Sequence, residues 1–479
     1  MKRITRPALA LVLATALSFT DLAAGRRPDA AGHWVATWGT AQQLFRAPAA
    51  GGGQAAAGGR AAATPAAPQP AAAPTAATSP ARAADAPQTT ASASGEGVRG
   101  RGARQRRFGI PPSLPGLENQ TVRMIVRASL GGARVRVRLF NALGGTTVTL
   151  GAAHIGLRGG GAAVMPGSDR ALTFSGQPAA KMYAGQTLVS DPVQLRVGPL
   201  ADLAVSLYFP GQTGVPTSHT FGLRPSYVSK EGDFTAAADL AAIDATMQSF
   251  YWLAGVDVMA PPDAESVVTF GDSITDGDQS TPDTNGMWPA RLAARLQANP
   301  RTSRIGVVNA GISGNRLLGD NNGGLARLGP HALGVPGVTW ITLLEGINDI
   351  TAATRPGAAP TGFSADDLIG AYRQVIETAH LQGVNVVGCT LTPFGESNVY
   401  TEAGEAIRQK ANDWIRTSGA FDAVVDFDAA TRDPGRPTRF RPEADSPDML
   451  HPGDAGYTLM AAAFDLSIFA RARSPRRAR

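Results

Sequence analysis

Two hydrophobic rhythms divide this chain. Between residue 120 and about residue 257, apolar and polar positions alternate in short runs at 122–127, 133–139, 147–152 and 204–209, with Gly and Pro between them. A period of two, bounded by turn residues and repeated many times, predicts half-buried strands folded into an antiparallel sandwich. After Pro261-Pro262 the rhythm changes. Runs at 266–270, 305–309, 338–344, 384–388 and 423–427 are apolar throughout, and helical stretches lie near 287–298, 365–382 and 402–417 and from 452 to about 470. Strands apolar on both faces, with helices between them, predict a parallel sheet covered on both sides. In such sheets ligands bind beyond the carboxyl ends of the strands.

The segment 46–107 has neither rhythm. It is almost wholly Ala, Gly, Pro, Ser and Thr and ends in an Arg-rich run, a composition that cannot bury enough surface to fold. The stretch before it, 33–40, alternates like a strand, so 46–107 reads as a disordered insertion within the sandwich rather than a boundary. The expected organisation is a signal peptide at 1–25, a first sandwich strand within 33–45, the insertion, the rest of the sandwich at 108–260, an α/β domain at 263–471 and a basic tail at 472–479. Residues 1–25 carry a basic start, an apolar run too short for a membrane span and small residues at the end, which predicts a secreted or periplasmic protein. No later run has the length of a membrane helix.

The formal charge of +6 suggests nucleic acid until its location is considered. Residues 1–110 hold 13 Lys/Arg against 4 Asp/Glu, and 471–479 hold five Arg, which leaves 111–470 at −8. The foldable part is acidic, so a nucleic-acid partner is not expected. Arg134, Arg136 and Arg138, at every second position of one strand, read as a solvated face. The sole cysteine, Cys389, lies in an apolar run and reads as a buried thiol; it excludes an intrachain disulfide and any C-x-x-C metal or redox motif.

The chemistry gathers at strand ends. Ser273 follows the apolar strand 266–270 within Gly271-Asp272-Ser273-Ile274-Thr275-Asp276-Gly277. A serine attacks well only when a neighbouring base takes its proton. Of the six histidines, His33, His154 and His219 fall in the β region, His380 in a helix and His331 in a loop. His451 stands instead at the start of the last helix with Asp448 three residues before it, a spacing that can orient one ring nitrogen and leave the other for the serine. The oxygen of a tetrahedral intermediate needs donors, and besides the N–H of Ser273 two strand ends offer them: a glycine N–H in Asn309-Ala-Gly-Ile-Ser-Gly314, and the Asn348 side chain in Gly346-Ile-Asn-Asp349. Asp272, Asp276 and Asp349 lack metal-ligand spacing, so neither metal nor cofactor is expected. Asp349 reads as a support for its own loop.

These four blocks, in this order, resemble the SGNH hydrolases, also called the GDSL family. The match departs from the family's usual motif at Ile274, where Leu is common, and covers roughly 266–470. The resemblance implies a three-layer α/β/α, flavodoxin-like domain with a five-stranded parallel sheet. It implies Ser273 as nucleophile and oxyanion donor, Gly311 and Asn348 as the other donors, His451 as general base and acid, and Asp448 as its orienter. Trp34-Val-Ala-Thr-Trp-Gly39, 138–144 and 169–174 resemble the β-rich part of bacterial members that carry a sandwich, expected here to be jelly-roll-like.

The implied activity is serine carboxylic-ester hydrolysis through an acyl-enzyme, on short acetyl-type esters of small molecules or polysaccharides. An acyltransferase to sugar hydroxyls is one alternative, and a glycan-binding protein with a vestigial hydrolase domain is another. A glycan contact through the sandwich is a further expectation.

Overall fold

The computed structural model describes residues 32–44, 114–141, 144–240, 242–319, 322–359 and 361–470. The expected signal peptide, insertion and basic tail lie outside the described residues. The N-terminal part forms two antiparallel sheets. One runs His33–Gly39, Leu253–Ala260, Gly132–Phe140, Thr187–Val189, with Val193–Val197 also on Gly132–Phe140; the other centres on Ser226–Glu231, Gln120–Arg127, Asp202–Phe209 and Ala152–Gly160. Alternation supplies the core between them: Val135, Val137 and Leu139 from one sheet meet Val122, Met124, Leu203, Val205 and Leu207 from the other, together with the ring of Trp252. The first strand pairs with the last, His33 opposite Ala260, so the stretch before the insertion and the stretch before the second domain share one sheet.

Three expectations need correction. The run 147–152 is not one strand: Val148–Leu150 and Ala152–Gly160 part at Gly151, where a Cβ would lie 2.8 Å from the Tyr208 ring. The arginine face is half-buried, not a free solvated face. Arg136 and Arg138 are held by fully buried Asp257 on the adjacent strand, at 2.9 and 3.0 Å, and Arg136 stacks over Trp34. The last helix is two pieces, Asp454–Ala462 and Ser467–Ala470, because Phe464 turns into the core and Arg295 binds the carbonyls of Ala461 and Phe464.

The second part has five parallel strands: β1 (Glu265–Gly271), β2 (Ile305–Gly311), β3 (Val338–Leu344), β4 (Asn385–Cys389) and β5 (Ala423–Val425). Their order is β2-β1-β3-β4-β5, flavodoxin-like, with helices such as Trp288–Ala298, Ala365–Leu381 and Glu402–Thr417 around the sheet. β5 is shorter than its apolar run, because the Asp426 side chain accepts from Ala429 N–H and starts a helix. Cys389 is buried, as expected. Strand order reverses at β1, so the crevice lies between the ends of β2, β1 and β3. Among the described residues, no helix is long and apolar enough to cross a membrane.

The two parts pack closely. Ser129 Oγ donates to Val307 O and accepts from Val307 N–H, Ser266 Oγ donates to Ala36 O, and Arg158 and Arg224 pair with Asp283.

Candidate active site

β1 delivers Ser273 to the crevice. The strand ends at Gly271, and Asp272 caps the short helix α1 (Ser273–Asp276) by accepting from Ile274 N–H at 2.9 Å. Gly277 ends the helix at φ 113°, a conformation that favours glycine. Ser273 is therefore held at the first turn with its N–H unpartnered among the described residues.

Three of the sequence-predicted residues meet in a relay. His451 Nε2 lies 2.8 Å from Ser273 Oγ, and His451 Nδ1 lies 2.8 Å from Asp448 Oδ2. His451 sits in the loop before the helix at Asp454, not at its start. Asp448 Oδ1 accepts from the N–H groups of Leu450 and His451 and from Ser446 Oγ. Burial works against charge on both partners, but the mutual hydrogen bond and these N–H donors hold the Asp448 carboxyl well below its usual range. Burial likewise opposes charge on His451, yet the bond to Asp448 and the nearby Asp278 carboxylate raise its proton affinity above the usual imidazole value. Asp278 Oδ2 is 3.9 Å from His451 Nε2, a neighbour that sequence reading missed.

The donors are distributed differently from the expectation. Gly311 is still within β2, and its N–H is taken by Asn309 Oδ1 at 2.9 Å. A Cβ there would lie 2.3 Å from Asp276 N, so Gly311 is a glycine that lets α1 pack on β2, and it offers no free donor. The free N–H at this strand end belongs to Gly314, at φ 75°, with no partner among the described residues. Its loop is fixed to α1 and β1 by Ser313 N–H to Asp276 Oδ2 at 3.2 Å and Ile312 N–H to Gly271 O at 3.0 Å. Asn348 lies beyond β3 and donates one amide hydrogen to Asn315 O at 2.9 Å, leaving the other.

A family model described as GDSL-like lipase/acylhydrolase matches residues 269–459. This stretch is a GDSL-like acylhydrolase domain. No curated protein sequence matches the chain. Solved structures similar to it include a member of the lipolytic G-D-S-L family from Veillonella parvula, with 20% identity, covering 44% of this chain and 100% of that one at TM-score 0.31. Another is a mutant of an acetyl-xylooligosaccharide esterase from Geobacillus, with 24% identity, covering 44% and 97% at TM-score 0.33.

Beneath the acylhydrolase site lies a buried charge cluster that the sequence did not disclose. Arg327 donates to Gly271 O, Ala310 O, Asn315 Oδ1 and Glu345 Oε1, at 2.6–2.9 Å, and its guanidinium stacks on Phe270. It thereby gathers the ends of β1, β2 and β3. Burial raises the Asp272 carboxyl to about 7 and holds Glu345 well above its usual range. Asp349 accepts from Leu317 and Leu318 N–H at 2.8 Å, so it supports the loop after β2 and not, as expected from the sequence, its own, and burial raises it to about 6. Nothing in a linear sequence marks Arg327 as buried; its signal is only its place in the stretch between β2 and β3.

Proposed function

We propose that this protein is a serine carboxylic-ester hydrolase that works through an acyl-enzyme on short acyl esters, with carbohydrate as the favoured alcohol. The Ser273–His451–Asp448 relay carries the reading. Ser273 Oγ attacks the acyl carbonyl as its proton passes to His451 Nε2, and Asp448 stabilises the imidazolium. The oxyanion faces the N–H groups of Ser273 and Gly314 and the free Asn348 amide hydrogen, Gly314 replacing Gly311 in that role. His451 then gives the proton to the leaving alkoxide oxygen. Water, deprotonated by His451, attacks the acyl carbonyl and releases the acid and Ser273.

Support for a polar alcohol comes from the cleft beside Gly314, a space of about 160 Å³ lined by Gln43, Ser313, Asn315, Arg316 and Asn322. The basic, apolar N-terminal pattern supports export, which would place the enzyme among extracellular esters. The test is a p-nitrophenyl ester series from acetyl upward, run beside acetylated polysaccharides. Turnover should be greatest on the shortest chains and vanish in Ser273→Ala; undiminished turnover in that variant would sink the assignment.

A further inference from the structure

The N-terminal sandwich supplies one buried side chain to the machinery of the other domain. His219 belongs to the strand Thr217–His219, and only 3% of it is exposed. Its Nδ1 is 2.7 Å from Ala41 O, and its Nε2 is 2.9 Å from Asp276 Oδ1. The other oxygen of Asp276 accepts from Ser313 N–H, next to Gly314. Ala41 begins the short segment that brings Gln43 to the cleft wall. One imidazole therefore braces the oxyanion loop on one side and the Gln43 wall on the other.

We propose that His219 is a positioning residue through which the sandwich holds the oxyanion loop in register with Ser273. This rests on the ester-hydrolase reading above. Both ring nitrogens face acceptors only, a carbonyl and a carboxylate, so the bridge is complete only when the ring carries both protons. Asp276 on α1 is the carboxylate facing it. His331, on the turn Gly329–Leu333, is the other nearby ring and is kept neutral because burial lowers it to about 3. Arg127 and Arg224 line the cavity on the same side. Burial opposes charge on His219, but Asp276 and the Ala41 carbonyl prevail and raise its proton affinity above the usual value. A raised folded-state value means the bridge is intact below that value and is lost as pH rises through it.

The experiment combines kinetics with ring ¹⁵N spectra of the full chain. In the wild type, His219 should be doubly protonated at neutral pH, and its deprotonation should coincide with an alkaline fall in kcat. In His219→Gln, kcat for p-nitrophenyl acetate should drop about 10–100-fold with KM nearly unchanged, and the alkaline fall should disappear. A neutral His219 at neutral pH overturns the proposal without any variant, so failure of the variant to fold does not shield it. Unchanged kcat in folded His219→Gln, with turnover abolished in Ser273→Ala, overturns this inference alone. Turnover surviving in Ser273→Ala overturns both.

Discussion

Two of the buried arginines, one in each half of the molecule, are used differently. Arg123, in the sandwich, is fully buried and donates to Ser206 Oγ, Ala162 O and Ala237 O, tying loops to the sheet. Arg327 has the same chemistry but applies it to the ends of β1 and β2, to Asn315 and to Glu345. A guanidinium satisfied by carbonyls is in one place a staple and in the other a jig for loops that carry donors. Buried charge is thus informative about function only through what its partners do next.

The largest effect should come from the relay itself. Asp448→Asn should lower kcat by about 10⁴-fold, because the amide cannot hold the imidazolium or its tautomer. The sign of the pH dependence follows from His451: as general base it must be neutral, and its value is raised above 6.5, so activity falls as pH drops through a limb above that point. Losing the carboxylate should move the limb toward acid. A rate–pH profile of both proteins checks this.

Asn348→Ala should come next, losing about 10²–10³ in kcat as one oxyanion donor goes. The measurement is kcat on p-nitrophenyl acetate. A KM effect alone would return Asn348 to an ordinary loop role.

The two arginines give the direct contrast. Lysine cannot reach several acceptors at once, so Arg123→Lys and Arg327→Lys should each destabilise by about 3 kcal/mol in chemical denaturation. Only Arg327→Lys should also cut kcat, by about ten-fold, because only its partners lead to the donors. Equal kcat in both variants would erase the distinction.

The sequence made the parallel sheet legible because its strands are apolar on both faces, a signal that survives without knowledge of neighbours. It made Ser273, Asp448 and His451 legible because their spacing is local or follows a strand end. It misassigned Gly311 because where β2 ends depends on pairing with β1, Gly271 opposite Gly311, which a linear reading cannot see. His219 was passed over for the same reason. Its partner Asp276 is remote in sequence, and only the docking of the two parts joins them. The arginine face was misread because Asp257, which neutralises it, arrives from a strand more than a hundred residues away.

That last pairing offers the smallest effect on activity. Asp257 is fully buried, while the Arg136 and Arg138 side chains are 23% and 15% exposed. Asp257→Asn removes the charge that two guanidiniums share and leaves them facing each other across one amide. Loss of one partner from a fully buried pair costs about 3–5 kcal/mol, but water reaching the arginines should reduce this to about 1–2 kcal/mol. The bonds that join these three side chains stay within one sheet of the sandwich, so kcat of the folded variant should stay within about two-fold of wild type. Denaturation midpoints paired with kcat test both parts. A larger fall in kcat would mean that the sandwich transmits strain to the site through the strand His33–Gly39, where Gly39 lies against Val308 of β2, and the division between staple and jig would fail at that contact.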